Sequence, residues 1–372
     1  MFANIYAGRN CLVTGNTGFK GSWLSAWLLS LDANVTGYAL DAPTAPACYD
    51  ELGLERRMQT TRGDVRNLET LAATVKKNRP EIIFHLAAQA LVRESYRDPL
   101  ATFQTNMLGT LNVLEAARHC DFVRAIVIIT SDKCYRNDEW VFGYRETDSL
   151  GGADPYSASK GCAELISHSY FQSFFQESGP ACATVRAGNV IGGGDWARDR
   201  IVPDCARAWH DKKPVQVRNP QATRPWQHVL EPLSGYLWLG ARLLDNSIGA
   251  HSAYQARGES FNFGPPGEAI HSVGEVVESL ARVWNGFSFN LAAADPSAPR
   301  ESGLLKLCCD KSLAFLDWKA TLDFEETIRY TADWYSRFYA GAKNDEMWRY
   351  TLGQIAAYAN AAQNRGLAWA MK

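Results

Sequence analysis

Thr14-Gly15-Asn16-Thr17-Gly18-Phe19-Lys20-Gly21 closes the apolar run CLVT (11–14) and leads directly into SWLSAWLLSL. Glycines spaced G-x-x-G-x-x-G let the chain turn tightly after a strand and approach a pyrophosphate. The negative charge then faces the partly positive N-terminus of the following helix. Three glycines can also build a bare turn, but the strand before and helix after favour a dinucleotide site. Gly15, Thr17, Gly18, Phe19 and Gly21 are its candidate ligands.

Outward from this motif, NVTGYAL (34–40), IIFHLA (82–87), AIVIIT (125–130) and ATVRAG (183–188) also read as strands. They are β-branched and apolar on both faces, as a sheet covered by helices on each side requires. Helix-like segments separate them: SWLSAWLLSL, NLETLAATVKKN with an Asn cap, and a long stretch from Asp98-Pro99 to 119. Alternation of this kind predicts an α/β fold, a Rossmann-type doubly wound parallel sheet with right-handed crossovers. After about residue 190, Gly, Pro and Trp become frequent and the pattern loosens. The expected division is a dinucleotide-binding domain over 1–190 plus 260–265. A smaller mixed α/β substrate-binding lobe is expected over 191–259 and 266–372.

The end of the second strand decides which dinucleotide fits. An acidic side chain there favours free ribose hydroxyls, and an arginine favours a ribose phosphate. The chain has Tyr38-Ala39-Leu40-Asp41, with no Lys or Arg between Lys20 and Arg56, so NAD is expected and Asp41 is the candidate ribose ligand. Asp64 and Val65 end the third strand, where adenine contacts arise. Ala87, Ala88 and Gln89 end the fourth, where backbone passes close to a cofactor. Asn106, within the long helical stretch, joins this set.

Composition excludes several classes. The 372 residues are 46% hydrophobic and 21% charged with net charge −2, a globular balance without a basic stripe for nucleic acid. No apolar stretch reaches the ~20 residues of a membrane helix. The N-terminus runs almost at once into the first strand, so no secretory signal is expected. Nine scattered cysteines lack metal-ligand spacing and suggest reduced, mostly buried thiols in a cytoplasmic protein, with no metal.

The chemistry gathers after the fifth strand. TSDKCY (130–135) places an acid, a base and two hydroxyls together, and Tyr156 and Lys160 follow in YSASK behind Asp154-Pro155. Four residues apart on a helix, Tyr156 and Lys160 share one face. A phenol with a pKa of ~10 is a poor base at neutrality, and a neighbouring ammonium favours the phenolate that could remove a hydroxyl proton. Asp132 and Lys133, adjacent on an extended strand, would face opposite ways, so a turn must re-aim one of them. His85 and His228 read as structural. Trp318, Trp334, Trp348 and Trp369 read as packing residues of the second lobe.

TGNTGFKGSWLS, HLAAQALVRESY, TSDKCY, YSASKGCAE, RAGNVIGGGDW, TRPWQHVLEPLSGYL and FNFGP resemble the extended short-chain dehydrogenase/reductases over essentially the whole chain. Within that family they resemble the sugar-nucleotide 4,6-dehydratases of the CDP-linked branch. The resemblance implies NAD as cofactor and CDP-D-glucose as substrate. It also implies Ser131, Tyr156 and Lys160 as the oxidation set, with Asp132 as dehydration acid. Lys133 stands where dTDP-linked sisters carry Glu, which leaves the carbon-5 base open. It further implies substrate contacts at Asn189, Arg200, Arg224 and Glu301, and a homodimer or homotetramer through the helices at 98–119 and 154–177. Such chemistry requires a raised Asp132 pKa, a depressed Lys133 pKa, and no tight ion pair between them. Two other readings compete. A 4-epimerase needs no Asp-Lys pair, and a non-catalytic dinucleotide sensor commonly loses the Tyr or the Lys.

Overall fold

The computed structural model describes residues 1–248, 255–267, 269–284, 288–291 and 303–371. Seven strands form one parallel sheet: β1 (Asn10–Thr14), β2 (Asn34–Ala39), β3 (Gln59–Arg62), β4 (Ile82–His85), β5 (Ala125–Ile129), β6 (Ala181–Ala187) and Ser260–Phe263. Their spatial order is Ser260–Phe263, β6, β5, β4, β1, β2, β3. The order reverses between β1 and β4, so a crevice opens at their carboxyl ends. Alternate residues feed two cores, with Leu12, Ile83, Ile126 and Ile128 on one face and Val13, Phe84, Val127 and Ile129 on the other. Continuous apolar strands follow because both faces are covered.

α1 (Phe19–Ser30) is not amphipathic, and Gly21 through Leu28 are all buried. Residues from the second half of the chain cover the side that solvent would otherwise take. Trp27 meets the rings of Tyr358 and Trp369, and Trp23 Nε1 donates to Gly193 O at 2.9 Å. Trp318, Trp334 and Trp369 are fully buried, each such burial contributing up to about 3 kcal/mol. Their indoles are packing residues, as expected, while Trp348 is partly buried at the core's edge.

The loosened pattern after residue 190 becomes short paired strands. Val190–Ile191 pairs with Gln227–His228, Thr223–Arg224 with His271–Ser272, and Val215–Val217 with Phe289–Leu291. Between them lie well-capped helices. Ser272 and Glu275, and likewise Asp323 and Glu326, form reciprocal capping boxes that satisfy orphan amides.

The long helix expected from Asp98 is interrupted. Pro99–Phe103 and Gly109–Arg118 are α-helical, and Gln104–Leu108 between them is a π-turn. Asn106 lies inside this turn. Its Oδ1 accepts from Gln89 N at 2.8 Å, and its Nδ2 donates to Gln89 O at 3.0 Å and Ser159 Oγ at 2.9 Å. A widened turn lets one side chain reach both the β4 loop and Ser159 of the helix Pro155–Tyr170, which helical periodicity alone does not reveal.

Candidate active site

The glycine motif forms a cradle made of backbone. Gly15 has φ +73°, and a Cβ there would sit 2.7 Å from Ala87 N; a Cβ on Gly21 would sit 2.1 Å from Gly15 O. α1 starts at Gly18 without a side-chain cap. Tight turn, close approach to the β4 loop and an uncapped twelve-residue helix together fit a pyrophosphate. Thr17 Oγ1 donates to Leu40 O at 3.0 Å and Ala87 N to Thr14 Oγ1 at 3.2 Å, bracing the cradle against β2 and β4. Gln89 spends its own amide on Leu91 and Thr102. Asp64 is paired with Arg66 at 2.6 Å, which holds its carboxyl below the usual range.

Asp41 is highly exposed and pairs with Arg62 Nε at 3.4 Å. The sequence expectation that no cation lies near the ribose position is thereby corrected. Arg62 is twenty-one residues on in sequence, yet β3 lies beside β2, so its guanidinium reaches the same corner. It is also bound to Glu55 at 2.9 Å.

β5 leads into the turn that carries the candidate acid and base. Ser131 is extended and caps a single 3-10 turn, Asp132–Cys134, by accepting from Lys133 N at 3.2 Å. This turn re-aims the adjacent acid and base. Asp132 Oδ1 accepts from Ser131 Oγ at 2.9 Å, while Oδ2 is buried without a partner beside Gly188 and Pro225. Burial raises the Asp132 pKa against the opposing pull of Lys133, Ser131, Arg224 and Lys20. No ion pair joins Asp132 to Lys133 among the described residues.

Helix Pro155–Tyr170, capped by Asp154, brings Tyr156 and Lys160 to this turn. Tyr156 is buried, 8% exposed, with Ser131 and Asp132 close enough to act on its phenol. Burial pushes its pKa up to about 12, with Ser131 and Arg200 pulling down and Asp132 and Asp154 pushing up. Lys160 Nζ donates to Ile129 O at 3.3 Å, and burial lowers its pKa to about 8. One turn on, Glu164 takes two bonds from Arg186 at 2.9 and 2.8 Å and forms a buried ionic floor under the helix.

On the side of the second lobe, Arg200 is tied to Asp195 at 2.8 Å and its charge reaches Tyr156. Arg224 is buried, donates to Thr223 O at 2.8 Å and Gly303 O at 3.3 Å, and its charge reaches Asp132. Asn189 is half-buried, one residue before Val190–Ile191. Glu301, like Arg300, lies outside the described residues. His85 bonds Thr14 and Thr110, and His228 accepts from Leu230 N; burial lowers both to about 3. Both are neutral structural groups.

Lys20 was missed as a site residue. Half-buried inside the glycine motif, it is lowered to about 8 by burial, Arg200 and Lys160, against the pull of Asp132 and Asp195. The available signal was a cation at a variable position between two glycines that each exclude side chains. Asp195, which anchors Arg200, was equally missed within GGGDW. No group of three or more metal-binding side chains, and no helix long and apolar enough to cross a membrane, occurs among the described residues.

A family model described as GDP-mannose 4,6 dehydratase matches residues 12–331. The CDP-glucose 4,6-dehydratase of Salmonella typhimurium is 43% identical over 363 residues, which are 96% of this chain and 98% of that protein. An epimerase from Methanothermobacter thermautotrophicus superimposes with TM-score 0.77 at 23% identity, covering 91% of this chain and 95% of that one. A dTDP-glucose 4,6-dehydratase from Bacillus anthracis, solved in complex with NAD, gives 0.71 at 20% identity, covering 89% and 97%. These two structures speak to the fold. The family match spans the glycine cradle, the Ser131-Asp132-Lys133 turn and the Tyr156–Lys160 helix alike, and the chain belongs to the GDP-mannose 4,6 dehydratase family.

Proposed function

We propose that the chain is an NAD-dependent hydro-lyase that converts CDP-D-glucose to CDP-4-keto-6-deoxy-D-glucose. The observation that carries this reading is the turn after β5. A buried, partnerless carboxyl oxygen of Asp132 lies beside a tyrosine–lysine helix, with Lys133 next to it but not ion-paired. A 4-epimerase has no use for that acid and base. The 43% identical CDP-glucose dehydratase supports the nucleotide.

The cradle residues Gly15, Thr17, Gly18, Phe19 and Gly21 would hold the dinucleotide pyrophosphate, and Asp41 the adenosine ribose. Bound there, NAD supplies reversible hydride storage between carbon 4 and carbon 6 of the sugar. Tyr156 takes the proton of the carbon-4 hydroxyl, and Ser131 hydrogen-bonds the same oxygen. A ketone at carbon 4 acidifies the carbon-5 hydrogen, which Lys133 removes. Asp132, whose pKa burial raises, gives its proton to the departing carbon-6 hydroxyl. Asn189, Arg200 and Arg224 form the diphosphate arm, guanidinium forks being suited to phosphate oxygens. The lobe after residue 190, less the strand Ser260–Phe263, is the substrate side of the molecule. We assign the enzyme to the cytoplasm as a homodimer or homotetramer that makes a deoxysugar precursor for lipopolysaccharide or another cell-surface polysaccharide.

Incubation with CDP-glucose and no added reductant tests the function. Alkali-induced absorbance of a 4-keto-6-deoxy sugar is expected. Interconversion with the galactose epimer instead would favour an epimerase, and inertness with every sugar nucleotide a sensor.

A further inference from the structure

The turn Asp132–Cys134 and the helix Pro155–Tyr170 must keep one spacing through two chemical stages. Tyr156 and Ser131 act at carbon 4 of the sugar, while Asp132 and Lys133 act at carbons 6 and 5. A single 3-10 turn has poor hydrogen-bond geometry and gives little rigidity of its own. What grips the chain on either side of it therefore sets where the acid and base point.

Glu164 and Arg186 supply that grip on both sides. Tyr156, Lys160 and Glu164 are spaced four apart and share one face of the helix. Lys160 Nζ donates to Ile129 O at 3.3 Å, and Glu164, one turn on, accepts from the hydroxyl of Thr130. Those are the two residues before Ser131. Glu164 also accepts from Thr184 Oγ1 at 2.6 Å and Ser260 Oγ at 3.2 Å, which ties it to two further strands. Arg186, its partner from β6, turns Nη1 the other way. That nitrogen donates to the Tyr135 phenol oxygen at 2.8 Å and to Glu146 O at 3.1 Å. Tyr135 is the residue just past the turn, and its hydroxyl donates onward to Asn262 Oδ1 at 2.8 Å. One buried ion pair thus holds the chain before the turn, the chain after it and the helix that faces it.

We propose, resting on the dehydratase reading above, that the Glu164–Arg186 pair is a positioning clamp. It fixes Asp132 and Lys133 relative to Tyr156, and so keeps the acid and base of the dehydration within reach of a sugar already placed for oxidation. Neither residue acts on the sugar directly; the effect passes through Thr130 and Tyr135. Loosening the chain at Tyr135 misplaces Lys133 and Asp132 more than Tyr156, and small misplacements of reacting groups are costly. Oxidation then outruns dehydration, and the hydride taken from carbon 4 stays longer on the cofactor before carbon 6 receives it.

Tyr135→Phe tests the clamp without breaking the buried ion pair, whose rupture would endanger the fold. Its ring keeps the stack on Tyr144 at 5.2 Å and its place under the Arg186 guanidinium at 4.8 Å, and only the hydroxyl is lost. Turnover of CDP-glucose should fall about tenfold in kcat with KM unchanged. The near-ultraviolet absorbance of reduced nicotinamide at steady state should rise. Without substrate, amide hydrogen exchange should quicken over 131–135 and stay as in wild type over Leu230–Leu244. Thr130→Val should also be slow, and Thr130→Ser, which keeps the hydroxyl, should recover. A wild-type kcat in Tyr135→Phe would overturn the clamp, as would a slower rate with no gain in reduced cofactor. So would exchange that is unchanged over 131–135 or quickened equally everywhere, the mark of a merely structural residue, or a Thr130→Ser enzyme as slow as Thr130→Val. If wild-type enzyme makes no 4-keto-6-deoxy sugar, the dehydratase reading itself fails and takes the positioning role with it, whatever the exchange pattern.

Discussion

The cradle after β1 and the turn after β5 lie at the same edge of one sheet, yet they are made of opposite materials. The first is backbone, and its selectivity comes from atoms that are missing: Gly15 and Gly21 leave no room for a Cβ. The second is side chain, and its chemistry comes from atoms held in unfavourable surroundings: a buried carboxyl, a buried phenol and a desolvated ammonium. A backbone site is therefore broken by adding a group and a side-chain site by removing one.

Tyr156→Phe is the largest test of that contrast. Removing one oxygen from the side-chain half should lower kcat about 10³-fold while leaving the melting temperature near that of wild type, read by product assay and calorimetry. A variant that is slow only because it is unfolded would erase the distinction between the two halves.

Gly21→Ala adds one carbon to the backbone half. Its Cβ would fall 2.1 Å from Gly15 O, so the loop must shift. Overpacking of this kind costs about 1–3 kcal/mol, and titration with NAD should show affinity falling about tenfold or more. Unchanged NAD affinity would mean that the cradle does not hold the cofactor.

Asp41→Asn sharpens the cradle's outer corner. Arg62 is held between Asp41 and Glu55, both exposed pairs. Removing one carboxylate should shift the ratio of NADP to NAD affinity a few-fold toward NADP, in line with about 1 kcal/mol or less for an exposed pair. A ratio that does not move would leave Asp41 without a part in cofactor choice.

Glu231 gives the smallest effect and lies away from both halves. It accepts from Thr321 N, Leu322 N and Tyr358 OH, and burial raises its pKa to about 7. The folded chain keeps its proton where the unfolded chain has lost it. Its contribution is full below about pH 4.5, the ordinary value, and is lost as pH rises through about 7. Thermal melts across that window should show wild type losing stability relative to Glu231→Gln as pH rises; a constant difference would contradict the raised value.

The same contrast explains what was legible in the sequence. β1, α1 and the glycines between them could be read because backbone conformation is written in residue type: only glycine meets the demands at residues 15 and 21. The Tyr156–Lys160 spacing was legible because a helix fixes which residues share a face. What could not be read arises between segments. Arg62 meets Asp41 only because β3 lies against β2, and Arg200 reaches Tyr156 only because the second lobe folds over the sheet. The π-turn around Asn106 is set by bonds to Gln89 and Ser159, not by local propensity.

The central claim is an internal transfer from carbon 4 to carbon 6. CDP-glucose carrying deuterium at carbon 4, turned over in ordinary water, tests it most directly. The account predicts a 4-keto-6-deoxy product whose methyl group retains that deuterium. Loss of the label to solvent, or its return to carbon 4 in a galactose epimer, would contradict it.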